Sequence, residues 1–232
     1  MFGFPAESEI KKVVPKDRLL GRVGLLNPAT ATQRAMFNAD VSQVILTNAV
    51  SPNAMNVGVG LHVQGFFVTK ALLKTKLFNE KSVEMLLHRM GQKYILLALC
   101  YGDTCRIALK HGDYLVYGKD FIPLETFRFT LQGVDLDAVW NGIVKQVAGN
   151  PWSDSLSVAE NLDIHEHIKK LQKEIASLEK KARAESQPAR KLELFNLMKA
   201  KVAELAEATH PTCHPEGQSE ERTLSCHPER SA

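Results

Sequence analysis

Three aspartates, Asp40, Asp103 and Asp113, stand at the ends of predicted strands, where carboxylates can meet around a metal ion. A metal-dependent nuclease needs such carboxylates, with a Glu-x-Lys sequence on a neighbouring strand. The letters Glu179-Lys180-Lys181 fit that sequence, but they lie in a predicted helix away from any sheet. Aspartate is also common in turns, because its side chain hydrogen-bonds the nearby backbone. The three aspartates are therefore candidates for a DNA-cleaving site that has no recognisable signature.

The histidines show none of the spacings that mark a metal site or an acid–base pair. His165 and His167 are two residues apart and point to different sides of a helix, whereas zinc-binding helices place their histidines four apart. The histidines earlier in the chain are isolated from one another, and we interpret each as a surface or packed side chain. They are His62, His88 and His111.

The four cysteines fall into two pairs with different expected roles. Cys100 and Cys105 face each other across strands if the hairpin predicted around them forms, and two buried thiols are the expected result. The other two belong to a repeat, in which Cys213-His214-Pro215-Glu216 returns as Cys226-His227-Pro228-Glu229. Two Cys-His pairs supply enough ligands for zinc, but their adjacent spacing is unlike that of zinc fingers and few apolar residues surround them. We interpret residues 209–232 as a disordered tail translated from an intergenic DNA repeat.

No sequence pattern predicts a cofactor site. A P-loop needs a glycine-rich turn that runs into Gly-Lys-Ser or Gly-Lys-Thr, and the sequence contains none. Gly58 and Gly60 form a Gly-x-Gly without a third glycine or a following helix, which indicates a turn. The sequence therefore predicts neither a cofactor nor a bound metal.

Charge and hydropathy limit the classes of function. The 232 residues carry a formal net charge of +3, with 24% charged and 44% hydrophobic residues, as in soluble globular proteins. No apolar run approaches the ~18 residues of a membrane span, and the first residues lack the pattern of a signal peptide. We therefore predict a cytoplasmic protein without a membrane partner.

A set of basic side chains between residues 169 and 183 is the candidate for direct contact with nucleic acid. Glutamates alternate with these residues, which is typical of a solvated, salt-bridged helix face rather than a DNA-binding stripe. Direct binding would make the affinity fall steeply with salt, and we expect nucleic acid to be contacted only indirectly. The basic residues are Lys169, Lys170, Lys173, Lys180, Lys181 and Arg183.

The clearest periodic pattern lies in residues 163–208, which we call the helical arm. Its apolar residues recur at spacings of four and three, the heptad pattern of a helix with one apolar seam. Pro188 fits the first position of a second helix, which gives either a helical hairpin or one kinked rod and places Leu194, Met198, Leu205 and Ala208 on one face. So narrow a seam needs a partner surface, and pairing with a second copy in a homodimer is one possibility. The seam residues are Ile164, Ile168, Leu171, Ile175, Leu178 and Ala182.

Residues 1–150 predict an α+β body, and residues 151–162 a linker to the arm. Hairpin-linked strands around helices imply a mixed, mainly antiparallel sheet packed with helices. Asn79 and Asp135 are expected to cap two of these helices. Further helices are predicted at residues 8–14, after Pro15 and at residues 28–38. The predicted strands are residues 41–50, 63–74, 94–101, 104–110, 114–117 and 126–131, with a short extended piece at 56–60.

Several phrases of the chain resemble the bacterial family called domain of unknown function 4391, from the N-terminus to about Leu205. None of them is a catalytic signature, so the resemblance implies a fold rather than a mechanism. Members of that family tend to be encoded beside helicase and DNA-methyltransferase genes of restriction or phage-defence loci. The phrases are Met1-Phe2-Gly3-Phe4-Pro5, Phe37-Asn38-Ala39-Asp40-Val41, Val50-Ser51-Pro52, Met55-Asn56-Val57, Leu96-Leu97-Ala98-Leu99, Leu136-Asp137-Ala138-Val139-Trp140, Glu185-Ser186-Gln187 and Lys191-Leu192-Glu193-Leu194.

Two hypotheses about function follow. The first is a non-enzymatic accessory protein that binds a helicase or DNA methyltransferase, with the body as one contact and the arm as another. The alternative is a metal-dependent nuclease or another DNA-acting enzyme, which requires the three aspartates to converge.

Overall fold

The computed structural model describes residues 2–21, 28–149 and 151–209. The chain divides into two compact units, Met1–Glu166 and His167–Ala232. The fold is α+β, as predicted, with a seven-stranded mixed sheet packed with helices and a C-terminal helical region. The predicted tail lies outside the described residues apart from Thr209. No helix within those residues is both long and apolar enough to span a membrane.

Within the described residues, seven strands build the sheet: β1 (Glu9–Val14), β2 (Val41–Val50), β3 (Phe66–Leu73), β4 (Tyr94–Tyr101), β5 (Thr104–His111), β6 (Tyr114–Tyr117) and β7 (Ile122–Pro123). From β1 to β6 the strands lie side by side in chain order, and β7 pairs with β5. Paired strands are antiparallel except β3 and β4, which run parallel. A parallel pair needs a long crossover, and a helix supplies it here.

The helices are α1 (Lys16–Leu20), α2 (Ala31–Asp40), α3 (Pro52–Met55), α4 (Glu80–Arg89), α5 (Leu136–Ala148), α6 (Val158–Ala184) and α7 (Pro188–Thr209). The predicted caps of α4 and α5 are confirmed. Asn79 Oδ1 accepts the Lys81 backbone N–H at 2.9 Å, and Asp135 Oδ1 accepts that of Ala138 at 2.8 Å. The α4 helix is the crossover between β3 and β4.

The sheet is covered on both faces, and β4 lies between the two cores. Leu96 and Ala98 point to the core that contains Trp140 and the other apolar side chains of α5. Leu97 and Leu99 point to the opposite core, which α1, α2 and α4 complete. A strand buried on both faces reads as a continuous apolar run, which explains why residues 94–101 are predicted correctly.

Two predicted elements are wrong. The segment predicted as a helix at residues 8–14 forms β1, which pairs with β2 and leaves most of its side chains exposed. The segment predicted as a strand at residues 126–131 is irregular, because its aromatic residues pack on the N-terminus instead of pairing in the sheet. Phe129 donates its backbone N–H to Phe2 at 3.1 Å, and the Phe127 and Phe129 rings meet Phe2 edge to face.

The first helix of the arm begins before its predicted start at Asp163. Ser157 Oγ accepts the Glu160 backbone N–H at 3.3 Å, and the Glu160 carboxylate accepts the Ser157 backbone N–H at 2.7 Å. These reciprocal bonds form a capping box. The α6 helix therefore starts at Val158, inside the segment predicted as a linker.

The second unit contains most of α6 and the whole of α7, which run antiparallel. Glu174 lies 3.5 Å from Lys201, and His167 lies 3.5 Å from Glu204, so residues early in one helix meet residues late in the other. The chain reverses at Glu185, whose carboxylate accepts the backbone N–H groups of the next two residues. Pro188 begins α7, as predicted, and the arm is a helical hairpin.

Candidate interaction site

The predicted seam residues of α6 are already covered within a single chain. Ile168, Leu171 and Ala182 are buried. The other three, Ile164, Ile175 and Leu178, are half-buried. A partner protein therefore reaches at most part of this seam.

The predicted apolar face of α7 is half-buried as well. Leu194, Met198, Leu205 and Ala208 all fall in this class, and Lys201 lies among them at the same spacing. No residue of α7, all of which the structure describes, is fully buried. A 22-residue helix without a buried side chain has large accessible faces.

A second row of apolar residues on α7 is exposed, and we call it the α7 stripe. It consists of Leu192, Phe195 and Val202, which are 62%, 55% and 45% exposed. Spacings of three and seven keep these residues on one side of the helix. Lys199 falls inside the stripe, four residues after Phe195 and three before Val202. Large exposed apolar side chains that share one side of a helix are candidates for an interaction surface, so the α7 stripe is the candidate interaction site.

The basic residues of α6 behave as a solvated face. Lys170, Lys173, Lys180, Lys181 and Arg183 are exposed. Arg183 forms an ion pair with Glu179 one turn earlier. Alternating charges of this kind support a helix surface and give no continuous positive stripe.

The three candidate aspartates do not converge. Asp40 caps the start of α4, because its carboxylate accepts the Asn79 backbone N–H at 3.0 Å and the Ser82 hydroxyl at 2.8 Å. Asp103 and Asp113 are turn residues on either side of β5, at opposite ends of that strand. Among the described residues, no three histidine, cysteine or acidic side chains are placed to hold a metal ion.

The remaining sequence candidates also lie apart. His165 packs near the Trp152 ring, whereas His167 faces Glu204, so the two point in different directions, as predicted. Gly58 donates its backbone N–H to Val134 at 2.9 Å beside the start of α5, which is a structural contact. The Cys-His repeat lies outside the described residues. Cys100 and Cys105 are buried, unbridged thiols.

One polar cluster is not apparent from the sequence, and it surrounds Asp137 at the start of α5. The Asp137 carboxylate accepts the backbone N–H groups of His62 at 3.1 Å and Val63 at 2.6 Å, and lies 3.4 Å from His62 Nδ1. Nearby, Trp140 Nε1 donates to His111 Nδ1 at 2.9 Å. The Asp-x-x-Trp spacing of Asp137 and Trp140 places both on one side of a helix, but nothing in the sequence pairs them with His62 or His111.

The contacts of His111 within this cluster favour its neutral form. Because Nδ1 accepts the indole N–H, a protonated ring would have to break that bond. Burial lowers the pKa of His111, nearby His62 lowers it further, and Asp137 opposes both. His111 is therefore a neutral, packed side chain near neutral pH, as the sequence interpretation expects.

The low pKa of His111 predicts a loss of stability in mild acid. The unfolded chain takes up this proton near pH 6.5, before the folded chain does, so the free energy of unfolding falls as the pH drops below about 6.5. In His111→Gln, an amide oxygen replaces the acceptor without titrating, so we expect a smaller fall between pH 7.5 and 5.5. Urea unfolding at the two pH values measures the fall in the free energy of unfolding for wild type and for His111→Gln. His88→Gln is the control, because His88 is exposed. Equal falls for wild type and His111→Gln would contradict this assignment.

Comparison with known proteins identifies a family and no characterised relative. No curated protein matches the chain, and no solved structure matches it. A family model described as Domain of unknown function (DUF4391) matches residues 2–205. The match covers the sheet, both sets of core residues and the whole α7 stripe. The chain therefore belongs to the DUF4391 family.

Proposed function

We propose that this protein is a non-enzymatic accessory subunit that binds a larger protein partner, with the α7 stripe as one of its contacts. The observation that carries the proposal is the exposure of Leu192, Phe195 and Val202 on a helix without buried residues. The described residues offer several apolar contact surfaces and no convergent metal-binding group.

The stripe is too small to act alone. Full burial of an aliphatic or aromatic side chain contributes about 1.5–3 kcal/mol, and about half of each stripe residue is still exposed, so the gain is about 2–4 kcal/mol. A dissociation constant of about 1 mM already requires about 4 kcal/mol. A stable complex therefore needs a second contact, which we assign to the body.

The edge strand β1 supplies the best surface for that second contact. Its outer backbone edge is unpaired in the described sheet, and Ile10 and Val13 are exposed on it. An open edge accepts an added strand from a partner. A cleft of about 230 Å³ beside β1 is lined in part by the apolar residues Leu46 and Phe67. Three cations, Lys12, Arg18 and Arg89, also line the cleft, which favours an acidic partner segment.

The charge within the α7 stripe favours a different protein over a second copy. A symmetric antiparallel pairing of two stripes that sets Phe195 against Val202 places the two Lys199 side chains next to each other. Like charges at such a position are unfavourable. A partner helix with apolar residues at the same spacing and a carboxylate opposite Lys199 fits the stripe better. The homodimer stays the second candidate, and light scattering of the purified protein distinguishes the two.

The partner we propose is a helicase or a DNA methyltransferase of a restriction or phage-defence system. The family resemblance implies a tendency to be encoded beside genes of these enzymes, and this expected neighbourhood is the basis for the assignment. The protein would then reach nucleic acid through its partner.

A capture experiment from the native host tests the proposal. Tagged full-length protein should retain the helicase or methyltransferase, and Phe195→Lys with Val202→Lys should reduce the captured amount at least about tenfold, since about 1.4 kcal/mol of lost contact suffices for that factor. Leu77→Lys with Leu61→Lys is the matched control, because these residues are 91% and 84% exposed in the body and the two substitutions add the same charge. Capture that is equal for wild type and the double variant would contradict a role of the stripe. Recovery of no enzyme at all would contradict the proposed function.

A further inference from the structure

Cys100 and Cys105 lie directly opposite each other in the hairpin of β4 and β5. Gly102 and Asp103 form the turn, and Gly102 has φ 57°, the positive value that the first residue of a type II′ turn adopts. In such a two-residue hairpin the flanking pair, Tyr101 and Thr104, is hydrogen-bonded. Antiparallel partners alternate between hydrogen-bonded and non-hydrogen-bonded pairs, so the cysteines form a non-hydrogen-bonded pair.

Non-hydrogen-bonded pairs have the geometry that a disulfide needs. Their Cα atoms lie about 4.5 Å apart and their side chains are closer than in the other pair type. Disulfides bridge Cα atoms separated by about 4.4–6.8 Å. The two strands therefore place the Cα atoms of Cys100 and Cys105 at the separation that a disulfide bridges, so bond formation needs rotation of the side chains rather than a change of backbone.

The surroundings give the two thiols different reactivities. The Cys100 thiol donates to the Ala98 carbonyl oxygen at 3.6 Å, so its proton is held by the backbone. Interaction with this neighbouring thiol lowers the pKa of Cys105, burial opposes that shift, and the positive charge of Lys70 lowers the pKa further. Interaction with Cys105 and burial raise the pKa of Cys100, and the charge of Lys70 opposes them. Cys105 is therefore the first thiolate to form, and Cys100 is the adjacent resolving thiol.

We propose that Cys100 and Cys105 are an oxidative modification site, at which a peroxide converts the two thiols into a reversible cross-strand disulfide. The Cys105 thiolate attacks one peroxide oxygen and becomes a sulfenic acid, and the other oxygen leaves as hydroxide and takes up the thiol proton as water. The Cys100 sulfur then attacks the Cys105 sulfur, and the sulfenic oxygen leaves as water with the Cys100 proton. The two thiols lose two electrons, and the peroxide is reduced to two waters.

This site is independent of the proposed partner binding. Both sulfurs are almost fully buried, with residue exposures of 2% and 0%, so oxidation needs a local opening of the hairpin end. The β7 strand covers that end, because Ile122 is the register partner of Cys105 on its other side. We therefore expect the oxidation to be slow. Once formed, the disulfide links β4 to β5 next to their turn.

A redox equilibrium tests the proposal, because its position does not depend on how fast an oxidant reaches the buried thiols. Full-length protein is equilibrated in glutathione buffers, alkylated and digested with trypsin, and residues 94–106 are weighed as one peptide, since Lys93 and Arg106 are the cleavage sites. We expect this peptide to lose two hydrogen atoms and to escape alkylation. The equilibrium constant for forming this disulfide should be at least about tenfold larger in the native chain than in the same chain in urea, because the folded strands already hold the two cysteines opposite each other. Hydrogen peroxide should give the same product more slowly.

Two controls keep the result specific. Cys100→Ser should abolish the oxidised peptide, whereas Cys213→Ser with Cys226→Ser should leave it unchanged, because the tail cysteines are not involved. An equilibrium for the native chain no more favourable than in urea would overturn the proposal. So would disulfides that link residues 94–106 only to the tail.

Discussion

Trp140→Ala should lower the free energy of unfolding by about 3–5 kcal/mol, the range for removing a fully buried aromatic side chain. Trp140 is completely buried in the core beneath α5. Its ring lies 4.8 Å from that of Phe66 and 5.7 Å from that of Tyr94, between centroids. Alanine removes these contacts and leaves His111 without its indole donor. Urea unfolding followed by circular dichroism measures the change.

Trp140→Phe separates the two contributions. A phenyl ring keeps most of the packing but cannot donate to His111, so we expect a smaller loss of about 1–2 kcal/mol. Leu77→Ala is the control and should change the free energy by less than about 0.5 kcal/mol, as exposed surface substitutions do. A loss of less than about 1 kcal/mol in Trp140→Ala would contradict the placement of this residue at the centre of the core.

Asp137→Ala should lower the free energy of unfolding by about 2–3 kcal/mol, because the carboxylate hydrogen-bonds the loop before β3 and so holds it against the start of α5. It accepts the backbone N–H groups of His62 and Val63. It is also the second residue of α5, where a negative charge stabilises the helix dipole. Gly60 leaves room for this contact, since a Cβ there would meet the Asp137 carboxylate and lie 2.7 Å from the Val63 carbonyl oxygen. Gly60→Ala should therefore be destabilising as well, even when Asp137 is absent.

The pH dependence distinguishes this contact from a packing effect. Burial raises the pKa of Asp137, but the backbone hydrogen bonds of Val63 and His62 together lower it below its ordinary value. The contribution of the ionised Asp137 carboxylate to the free energy of unfolding is complete above about pH 4. It is lost as the pH falls further, through the pKa of Asp137 in the folded chain. The difference between wild type and Asp137→Ala should shrink below about pH 4, and Asp137→Asn, which keeps one acceptor, should lie between them. A difference that stays constant from pH 7 to pH 3 would contradict the assignment.

The sequence predicts the elements whose local signals agree with their tertiary setting. The bounds of β2, β4 and β6 and the caps of α4 and α5 are confirmed, because continuous apolar runs and Asn or Asp caps act over a few residues. The β1 strand escapes prediction because its side chains are exposed and show no alternation. Only its pairing with β2 holds it as a strand, and that pairing is not encoded locally.

The candidate site follows the same rule. The heptad spacing predicts the first helix of the arm, and Pro188 predicts the start of the second. Neither signal distinguishes a seam that is covered within the chain from one that is open. The α7 stripe has a regular spacing too, yet its exposure depends on which face of α7 turns inward, and only the fold decides that. The contact of Asp137 with His62 joins residues 75 positions apart, a distance at which local patterns carry no signal.

Amide hydrogen exchange along the purified complex tests the central claim most directly. Exchange is compared between the free protein and the protein bound to its captured helicase or methyltransferase. We predict that binding slows exchange in the residues of α7 around Phe195 and along β1, and that Phe195→Lys with Val202→Lys removes the effect on α7. Slowed exchange confined to other parts of the body, with α7 unchanged, would contradict the claim that the α7 stripe is a docking surface.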